Sequence, residues 1–201
     1  MSTAATHHDA LPGFTPVSAL GPKRAADYFA LPEGEPVELI YGRLVVSPSP
    51  DFLHQTVVGL IYEWLLAIAR TTQGRAVIAP FDTELADHSI VQPDVIYLGR
   101  GKRSAIKRHL HGPPDLAVEV ISASNARRDR VDKLVMYAEF GVAEYWIVDP
   151  AERQFEFLVN RGGKFEVQPQ RDDRYQSPVH AELDFDLAAF WAEVALQLAD
   201  D

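Results

Sequence analysis

The sequence predicts an α/β domain in which helices flank a central mixed β-sheet. Three observations predict this class. Apolar residues recur at helical spacing over residues 51–72. Two nearly continuous apolar segments, 114–121 and 144–148, lie on either side of a second helical pattern, which is typical of parallel strands buried on both faces. Pairs of short apolar runs within 37–46 and 154–167 surround glycine-containing turns and predict hairpins.

The chain is predicted to divide into an irregular N-terminal arm, residues 1–36, and a single domain, residues 37–201. The arm contains five prolines and three glycines and lacks a sustained apolar period, so only one short helix is predicted there, near residues 23–29. The domain begins with the hairpin of Val37–Val46, which turns at Gly42.

A long helix and two strands are predicted next. The helix covers residues 51–72, and Gly74 stands where it should stop. Residues 75–85 predict one strand, and residues 90–98 predict another whose start is interrupted by Pro93.

The second half of the chain alternates between strands and helices. Its predicted elements are, in order, a basic loop over 99–112, a buried strand over 114–121, a helix capped by Ser124–Asn125 and closed by Gly141, a strand over 144–148, a hairpin over 154–167 and an amphipathic closing helix over 187–198. The strand-helix-strand unit in the middle predicts parallel pairing of its two strands.

Composition excludes several classes of protein. There is no cysteine, so disulfide frameworks, cysteine-ligated metals and a cysteine nucleophile are excluded. No uninterrupted apolar run approaches the ~20 residues that span a bilayer, and residues 1–10 lack the apolar stretch of a secretory signal. We therefore expect a cytoplasmic protein with no membrane partner.

Positive charge is concentrated in one part of an acidic chain. The formal net charge is −10, but residues 100–133 carry +5 and the rest of the chain −15. Such asymmetry indicates either solvated loops or a local phosphate-binding face. The candidate nucleic-acid contacts are Arg100, Lys102, Arg103, Arg127, Arg128 and Arg130.

Three carboxylates interrupt apolar strand patterns. They are Glu38, Asp94 and Glu119. Burial of an ionised carboxylate costs several kcal/mol unless a cation or hydrogen bonds compensate it. Each acid therefore turns toward solvent at a strand end, pairs with a surface arginine, or meets a buried positive group.

Lys133 stands out in the helix that follows Glu119. On a helical wheel, an apolar face around Val131, Leu134 and Val135 is expected to pack on the sheet, and Lys133 falls inside a second apolar stripe. Its side chain either extends out along its stem to solvent or places its ammonium at the core edge as a partner for carboxylates or a phosphate.

Two acids on adjacent strands with an amine nearby are typical of a site that binds a divalent metal ion. The carboxylates of Asp94 and Glu119 are hard oxygen ligands that Mg²⁺ or Mn²⁺ prefers. Lys133 would orient a water molecule or neutralise developing charge. The residues therefore predict metal-assisted hydrolysis of a phosphodiester.

Several segments together resemble a known family. They are Val37-Glu-Leu-Ile-Tyr-Gly-Arg-Leu-Val-Val46, Ser47-Pro-Ser-Pro-Asp51 with His54, Pro93-Asp94-Val95, Pro114-Asp-Leu-Ala-Val-Glu-Val-Ile-Ser122, Arg128-Asp129-Arg130 with Lys133 and Tyr137, and Gly141-Val-Ala-Glu-Tyr-Trp-Ile-Val-Asp-Pro150. In this order they resemble the Uma-type endonucleases of the PD-(D/E)XK phosphodiesterase superfamily over roughly residues 37–190.

The resemblance implies a restriction-endonuclease-like core, with Asp94 as the first acid of the motif and Glu119 as the second. The superfamily usually places a lysine two residues after the second acid, where this chain has Ile121. The resemblance implies that Lys133 on the following helix takes that role, and that Glu38 and His54 are additional site residues. Taken alone, His54 is more typical of a hydrogen-bonded structural histidine.

We therefore expect a Mg²⁺- or Mn²⁺-dependent endonuclease acting on DNA. Cutting both strands of a duplex suits two-fold symmetry, so a homodimer is expected. The alternative is a catalytically inactive module with the same fold that binds nucleic acid or a protein partner. A serine hydrolase is disfavoured because the sequence contains no Gly-x-Ser-x-Gly motif.

Overall fold

The computed structural model describes residues 20–47, 49–122 and 128–199. The helices are α1 Ala25–Phe29, α2 Phe52–Thr72, a 3₁₀ helix Arg100–Ala105, a π-helix Arg128–Lys133, α3 Leu134–Glu139 and α4 Leu187–Leu198. The strands are β1 Val37–Ile40, β2 Arg43–Val46, β3 Arg75–Ile78, β4 Thr83–Ala86, β5 Ser89–Val91, β6 Val95–Leu98, β7 Leu110–His111, β8 Leu116–Val120, β9 Glu144–Asp149, β10 Gln154–Asn160, β11 Phe165–Gln168, β12 Arg174–Gln176 and β13 Asp184–Asp186.

The central sheet is mixed, as the sequence predicts. Its strand order is β11-β10-β9-β8-β6-β3, and only the β8–β9 pair within it is parallel. The predicted strand-helix-strand unit is therefore confirmed over its described part, and the predicted Ser124–Asn125 cap lies outside the described residues. The predicted hairpins are also confirmed, as β1–β2 and β10–β11.

The structure contains a second sheet, because two strands that the sequence predicted as continuous are each divided in two. Its order is β2-β1-β5-β4-β7. The strand predicted over 75–85 is broken between Ile78 and Thr83, and the strand predicted over 90–98 is broken between Val91 and Val95. Pro80 and Pro93 lie in the two breaks, and proline cannot donate to a strand ladder. The two halves of each predicted strand consequently join different sheets.

α2 and α4 cover one face of the central sheet. α2 buries Val57, Ile61 and Leu65 completely in this core, and full burial of each such side chain contributes roughly 1.5–3 kcal/mol. Among the described residues, α2 is also the helix with the length and apolar composition to cross a membrane. Core helices pass the same test, so α2 is weak evidence for a membrane protein.

The opposite face of the central sheet packs against α3, and here the helical-wheel prediction is only partly confirmed, since Leu134 packs against this core but Val135 does not. Val135, on the face expected to pack on the sheet, is 40% exposed, whereas Lys133, Met136 and Tyr137 are buried. The physical reason is the π-helix that precedes α3, because its wider turns shift the phase from the assumed 100° per residue.

The end of α2 shows why its stop signal lies at Gly74. The helix ends at Thr72, and its C-cap residue, Gln73, has a left-handed backbone with φ of 61°. A Cβ atom on Gly74 would lie 2.6 Å from the carbonyl oxygen of Leu98 at the end of β6. Residue 74 must therefore be glycine because β3 approaches β6 closely at this point. The left-handed conformation that ends the helix is adopted by Gln73, not by Gly74.

The arm is attached to the β1–β2 turn through two glycines. The backbone N–H of Gly21 donates to the carbonyl of Tyr41 at 2.8 Å. Gly42 has φ of +76°, and a Cβ there would lie 2.3 Å from the carbonyl oxygen of Gly21. We expect Gly42→Ala to lower the free energy of unfolding by about 1–3 kcal/mol more than Gly34→Ala, because Gly34 has a similar φ of +89° but open space around it.

Urea unfolding of the two variants and the parent protein tests this prediction. The Gly34→Ala variant reports the cost of the left-handed backbone, and the difference between the variants reports the clash with the arm. Equal losses of stability would contradict close packing of the arm on the turn.

Candidate active site

Asp94 and Glu119 lie at the same end of two neighbouring strands. β6 and β8 pair antiparallel, with Val95 opposite Val118. Asp94 immediately precedes the first of these residues and Glu119 immediately follows the second. The Oδ2 atom of Asp94 accepts a hydrogen bond from the backbone N–H of Val120 at 2.7 Å, which holds this carboxylate beside the end of β8.

Glu119 points into the core on the α3 side of the sheet. Only 3% of the residue is exposed. Its Oε1 atom accepts hydrogen bonds from Lys133 Nζ and from the Tyr137 hydroxyl, both at 2.7 Å. Burial, together with the charge of Glu119, raises the pKa of Tyr137 well above its ordinary value, so the phenol stays a donor.

Lys133 places its ammonium among three carboxylates. Its Nζ atom lies 2.7 Å from Glu119 Oε1, 3.0 Å from Glu38 Oε1 and 3.7 Å from Asp129 Oδ1. Glu38 is itself held by the backbone N–H of Gln92, which donates to Oε1 at 2.8 Å. Of the two conformations left open by the sequence, the side chain therefore takes the one in which the amine meets buried acids.

The cluster holds more negative than positive charge. Four carboxylates, those of Glu38, Asp94, Glu119 and Asp129, act on one another or on Lys133. Burial raises the pKa of Glu119 well above its usual range; Lys133 opposes this rise, and the neighbouring acids add to it. Burial disfavours the charged amine, but the surrounding acids outweigh it and raise the pKa of Lys133 well above its usual range. Lys133 is therefore an ammonium ion.

His54 lies on the other side of Asp94, in the first turn of α2. Asp51 caps this helix, since its Oδ1 accepts from the backbone N–H of His54 at 2.8 Å. The side chain is 10% exposed, and its Nε2 lies 3.4 Å from Asp94 Oδ2. Burial lowers the pKa of His54, but the hydrogen bond and charge of Asp94 exceed this and raise it above the ordinary value. Its Nδ1 is buried and has no hydrogen-bond partner among the described residues.

A cleft lies beside this cluster, at the carboxyl ends of the parallel strands. Its volume is about 370 Å³, and it is lined by the start of α2, including His54, by Ile121 and Ser122 after β8, and by residues 149–152 after β9. Crevices at the carboxyl ends of parallel strands are common ligand sites. Two larger clefts, of about 600 and 620 Å³, are not lined by His54 or by the buried acids around Lys133. The candidate site is therefore identified by its ionisable side chains and not by the volume of its cleft.

The structure does not bring the first group of predicted nucleic-acid contacts to this cluster. Arg100, Lys102 and Arg103 belong to the 3₁₀ helix that follows β6, at the opposite end of that strand from Asp94, about 13 Å away at 3.3 Å per residue. Lys102 pairs with Asp115 at 2.9 Å, whereas both arginines are exposed.

The second group of predicted contacts is only partly described. Arg127 and the side chain of Arg128 lie outside the described part of the chain. Arg130 is half-buried and pairs with Asp149 at 3.4 Å and with Glu156. Because Asp149 lines the cleft, Arg130 is the predicted contact nearest to the candidate site among those whose side chains the structure describes.

Two residues of the cluster were not among the predicted site residues. Asp129 is buried and lies four residues before Lys133, and Tyr137 lies four residues after it. Residues four apart share a helical face, so their spacing from Lys133 in the sequence could have indicated that Asp129 and Tyr137 lie beside it.

The donor set fits a hard divalent cation. Asp94 and Glu119 offer carboxylate oxygens from adjacent strands, and Mg²⁺ and Mn²⁺ prefer such ligands. The ammonium lies among three carboxylates, and Asp94 adds a fourth that acts on Glu119, which leaves negative charge that a divalent ion would balance. Asp94 Oδ2 is already bonded to Val120, which restricts the positions that this carboxylate can take.

The fold and the acid–lysine cluster, which consists of Glu38, Asp94, Glu119, Asp129 and Lys133, define the class of protein, a restriction-endonuclease-like α/β protein. A solved structure described as a putative nuclease belonging to DUF820, from Anabaena variabilis ATCC 29413, is similar with a TM-score of 0.72. The two chains are 19% identical, and the similarity covers 86% of this chain and 99% of that one. This likeness confirms the predicted fold class.

The family model described as "Uma2: Putative restriction endonuclease" matches residues 25–192. The chain belongs to the Uma2 family, which confirms the resemblance seen in the sequence. A search of curated proteins finds no match.

Proposed function

We propose that this protein is a metal-dependent endonuclease that hydrolyses phosphodiester bonds in DNA. The observation that carries the proposal is the convergence of Glu38, Glu119 and Asp129 on the buried ammonium of Lys133, with Asp94, just before the neighbouring strand, acting on the charge of Glu119. Membership of a nuclease family supports the reaction class.

Asp94 and Glu119 would hold Mg²⁺ or Mn²⁺. When bound, such an ion polarises a phosphoryl oxygen and lowers the pKa of a coordinated water. His54 and the backbone N–H of Val120 both contact the same oxygen of Asp94, Oδ2, and so restrain this carboxylate. A ligand held in this way loses little conformational entropy when it binds.

Lys133 acts as a charge and a hydrogen-bond donor. Because its raised pKa keeps it protonated, it cannot take the proton of the attacking water. It can orient that water and balance the charge that develops on the phosphate oxygens. Glu38 and Tyr137 are positioning residues: Glu38 holds the amine, and Tyr137 holds the carboxylate that the amine contacts.

DNA is proposed as the substrate on the basis of charge as well as family. Of the cations concentrated in residues 100–133, those of the 3₁₀ helix lie at the opposite end of β6 from Asp94, and Lys133 is buried among acids, so phosphate binding at the site falls to the remaining cations. Arg130 beside the cleft is the described cation best placed for this, and a homodimer would present two such sites to the two strands of a duplex.

The test is cleavage of supercoiled plasmid, linear duplex DNA and RNA with Mg²⁺ or Mn²⁺, and with EDTA. We expect cleavage of DNA that requires the metal and is lost in Asp94→Asn. The control is Asp115→Asn, which removes a carboxylate from the opposite end of the same two strands, and which should retain cleavage.

Absence of cleavage over a wide range of pH and salt would overturn the proposal, and so would full activity of Asp94→Asn. Calorimetry with Mg²⁺ then addresses the alternative of an inactive module. Binding of the ion that is lost in Asp94→Asn supports the metal site, whereas no binding favours the module.

A further inference from the structure

Beyond the acid–lysine cluster, we infer that Glu84, His109 and His111 form a second metal site, selective for Zn²⁺ or a similar transition-metal ion. These three residues belong to the second sheet, on β4, just before β7 and within β7. Among the described residues they are the group of three or more acidic or histidine side chains whose ligand atoms all lie within 4.8 Å of one another.

The strand pairing creates this cluster from distant parts of the chain. β4 and β7 are parallel, and Glu84 pairs with His111. His109 and His111 are separated by Leu110, which is fully buried, so the two imidazoles project to the same side, as alternate residues of a strand do. The two backbone hydrogen bonds that flank them, from Leu110 to Asp82 and from Gly112 to Glu84, are both 2.9 Å long.

The ligand atoms are already close to coordination distances. His109 Nε2 lies 2.7 Å and His111 Nδ1 lies 3.2 Å from the same oxygen, Glu84 Oε2. Tetrahedral zinc with bonds of 2.0–2.2 Å requires ligand atoms about 3.4 Å apart. Both distances to the Glu84 oxygen are therefore within about 0.7 Å of that spacing, and all the ligand atoms lie within 4.8 Å of one another.

The neighbourhood of the cluster favours binding. The Phe29 ring of α1 stacks on His109 with a centroid distance of 4.7 Å, which restrains the orientation of that imidazole. The side chain of His111 is 45% exposed, which gives ions access from solvent. His109 also lines the cleft of about 620 Å³ between the arm and residues 80–82.

Ligand chemistry separates this site from the proposed Mg²⁺ site. Two imidazoles and one carboxylate form a three-ligand set that zinc uses when it keeps an open fourth position for water or substrate. Imidazole nitrogen favours Zn²⁺ over Mg²⁺, which takes oxygen ligands. Bound zinc would link β7 to β4 and so stabilise the folded chain.

The experiment is titration of the metal-free full-length protein with Zn²⁺ by calorimetry, and with Co²⁺ followed by visible absorption. We expect one equivalent of zinc and a tetrahedral cobalt spectrum. In His111→Ala, zinc affinity should fall at least tenfold and the spectrum should be lost. Because His111 is half exposed, this variant should fold, which its circular dichroism spectrum and cooperative thermal unfolding will verify.

Three control variants address other places where zinc could bind. His88→Ala removes a histidine of the same sheet that is outside the cluster, Asp94→Asn tests the acid–lysine cluster, and a variant with His7→Ala and His8→Ala removes the adjacent histidines near the N-terminus. All three should retain the zinc affinity and cobalt spectrum of the parent protein. Unchanged zinc binding in His111→Ala, or loss of binding in any control, would overturn the inference.

Discussion

Lys133→Met should abolish DNA cleavage and lower the free energy of unfolding by about 3–5 kcal/mol, the cost of leaving buried charges unpaired. The substitution keeps an unbranched apolar stem of similar length, so loss of packing contributes little. It removes the ammonium that lies 2.7 Å from Glu119 and 3.0 Å from Glu38. These carboxylates, together with Asp129, would then face one another in a region that is almost fully buried.

Glu119→Gln should cost clearly less stability than Lys133→Met. The amide oxygen can still accept from Lys133 and Tyr137, and Lys133 keeps Glu38 and Asp129 as partners. The substitution also removes one negative charge from a cluster that has more carboxylates than cations, which reduces repulsion among the remaining acids. Because the carboxylate of Glu119 is a proposed metal ligand, this variant should nevertheless lose cleavage.

Urea unfolding of both variants, combined with the cleavage assay, distinguishes the two contributions of Lys133. Lys23→Met is the matched control, since Lys23 is half exposed and forms a surface pair with Asp27, a kind of pair worth roughly 0–1 kcal/mol. If Lys133→Met costs no more stability than Glu119→Gln, the ammonium does not compensate the cluster in the way described.

Local signals predicted the elements whose pattern lies in one stretch of chain. α2 begins and ends within one residue of its predicted bounds because periodicity and a capping aspartate act over a few residues. The parallel pairing of β8 and β9 followed from a general rule of chain connection. Glu119 and Lys133 attracted notice because charged groups interrupted apolar patterns, and they contact each other directly.

The pairing of strands that are distant along the chain could not be predicted from local sequence patterns. Pro80 and Pro93 indicate interruptions, but they do not show that the chain on either side joins a different sheet. The pairing of β4 with β7, which brings Glu84 to His109 and His111, connects residues about 25 positions apart with no shared local pattern. The π-helix before α3 also changed the phase of the wheel, so Val135, which was assigned to the sheet face, is exposed, whereas Lys133 is buried against acids.

Glu144 provides the second prediction with a large expected effect, because it is a buried carboxylate held by neutral donors. It lies at the start of β9 and is fully buried. It accepts hydrogen bonds from Trp146 Nε1 at 2.6 Å, from the Tyr175 hydroxyl at 2.7 Å and from Ser177 Oγ at 2.5 Å. These bonds connect the central sheet to the segment that carries β12, and burial together with the charge of Glu144 raises the pKa of Tyr175.

Glu144→Leu should lower the free energy of unfolding by at least about 3 kcal/mol, because three buried donors lose their acceptor at roughly 1–3 kcal/mol each. Ser177→Ala, which removes one donor, should cost about 1 kcal/mol. Glu166→Leu is the matched control, since Glu166 is exposed on β11 of the same sheet, and its effect should stay within about 0.5 kcal/mol. A loss below 1 kcal/mol in Glu144→Leu would show that these hydrogen bonds do not hold the segment. The folded fraction of this variant should still cleave DNA, since Glu144 takes no part in the acid–lysine cluster.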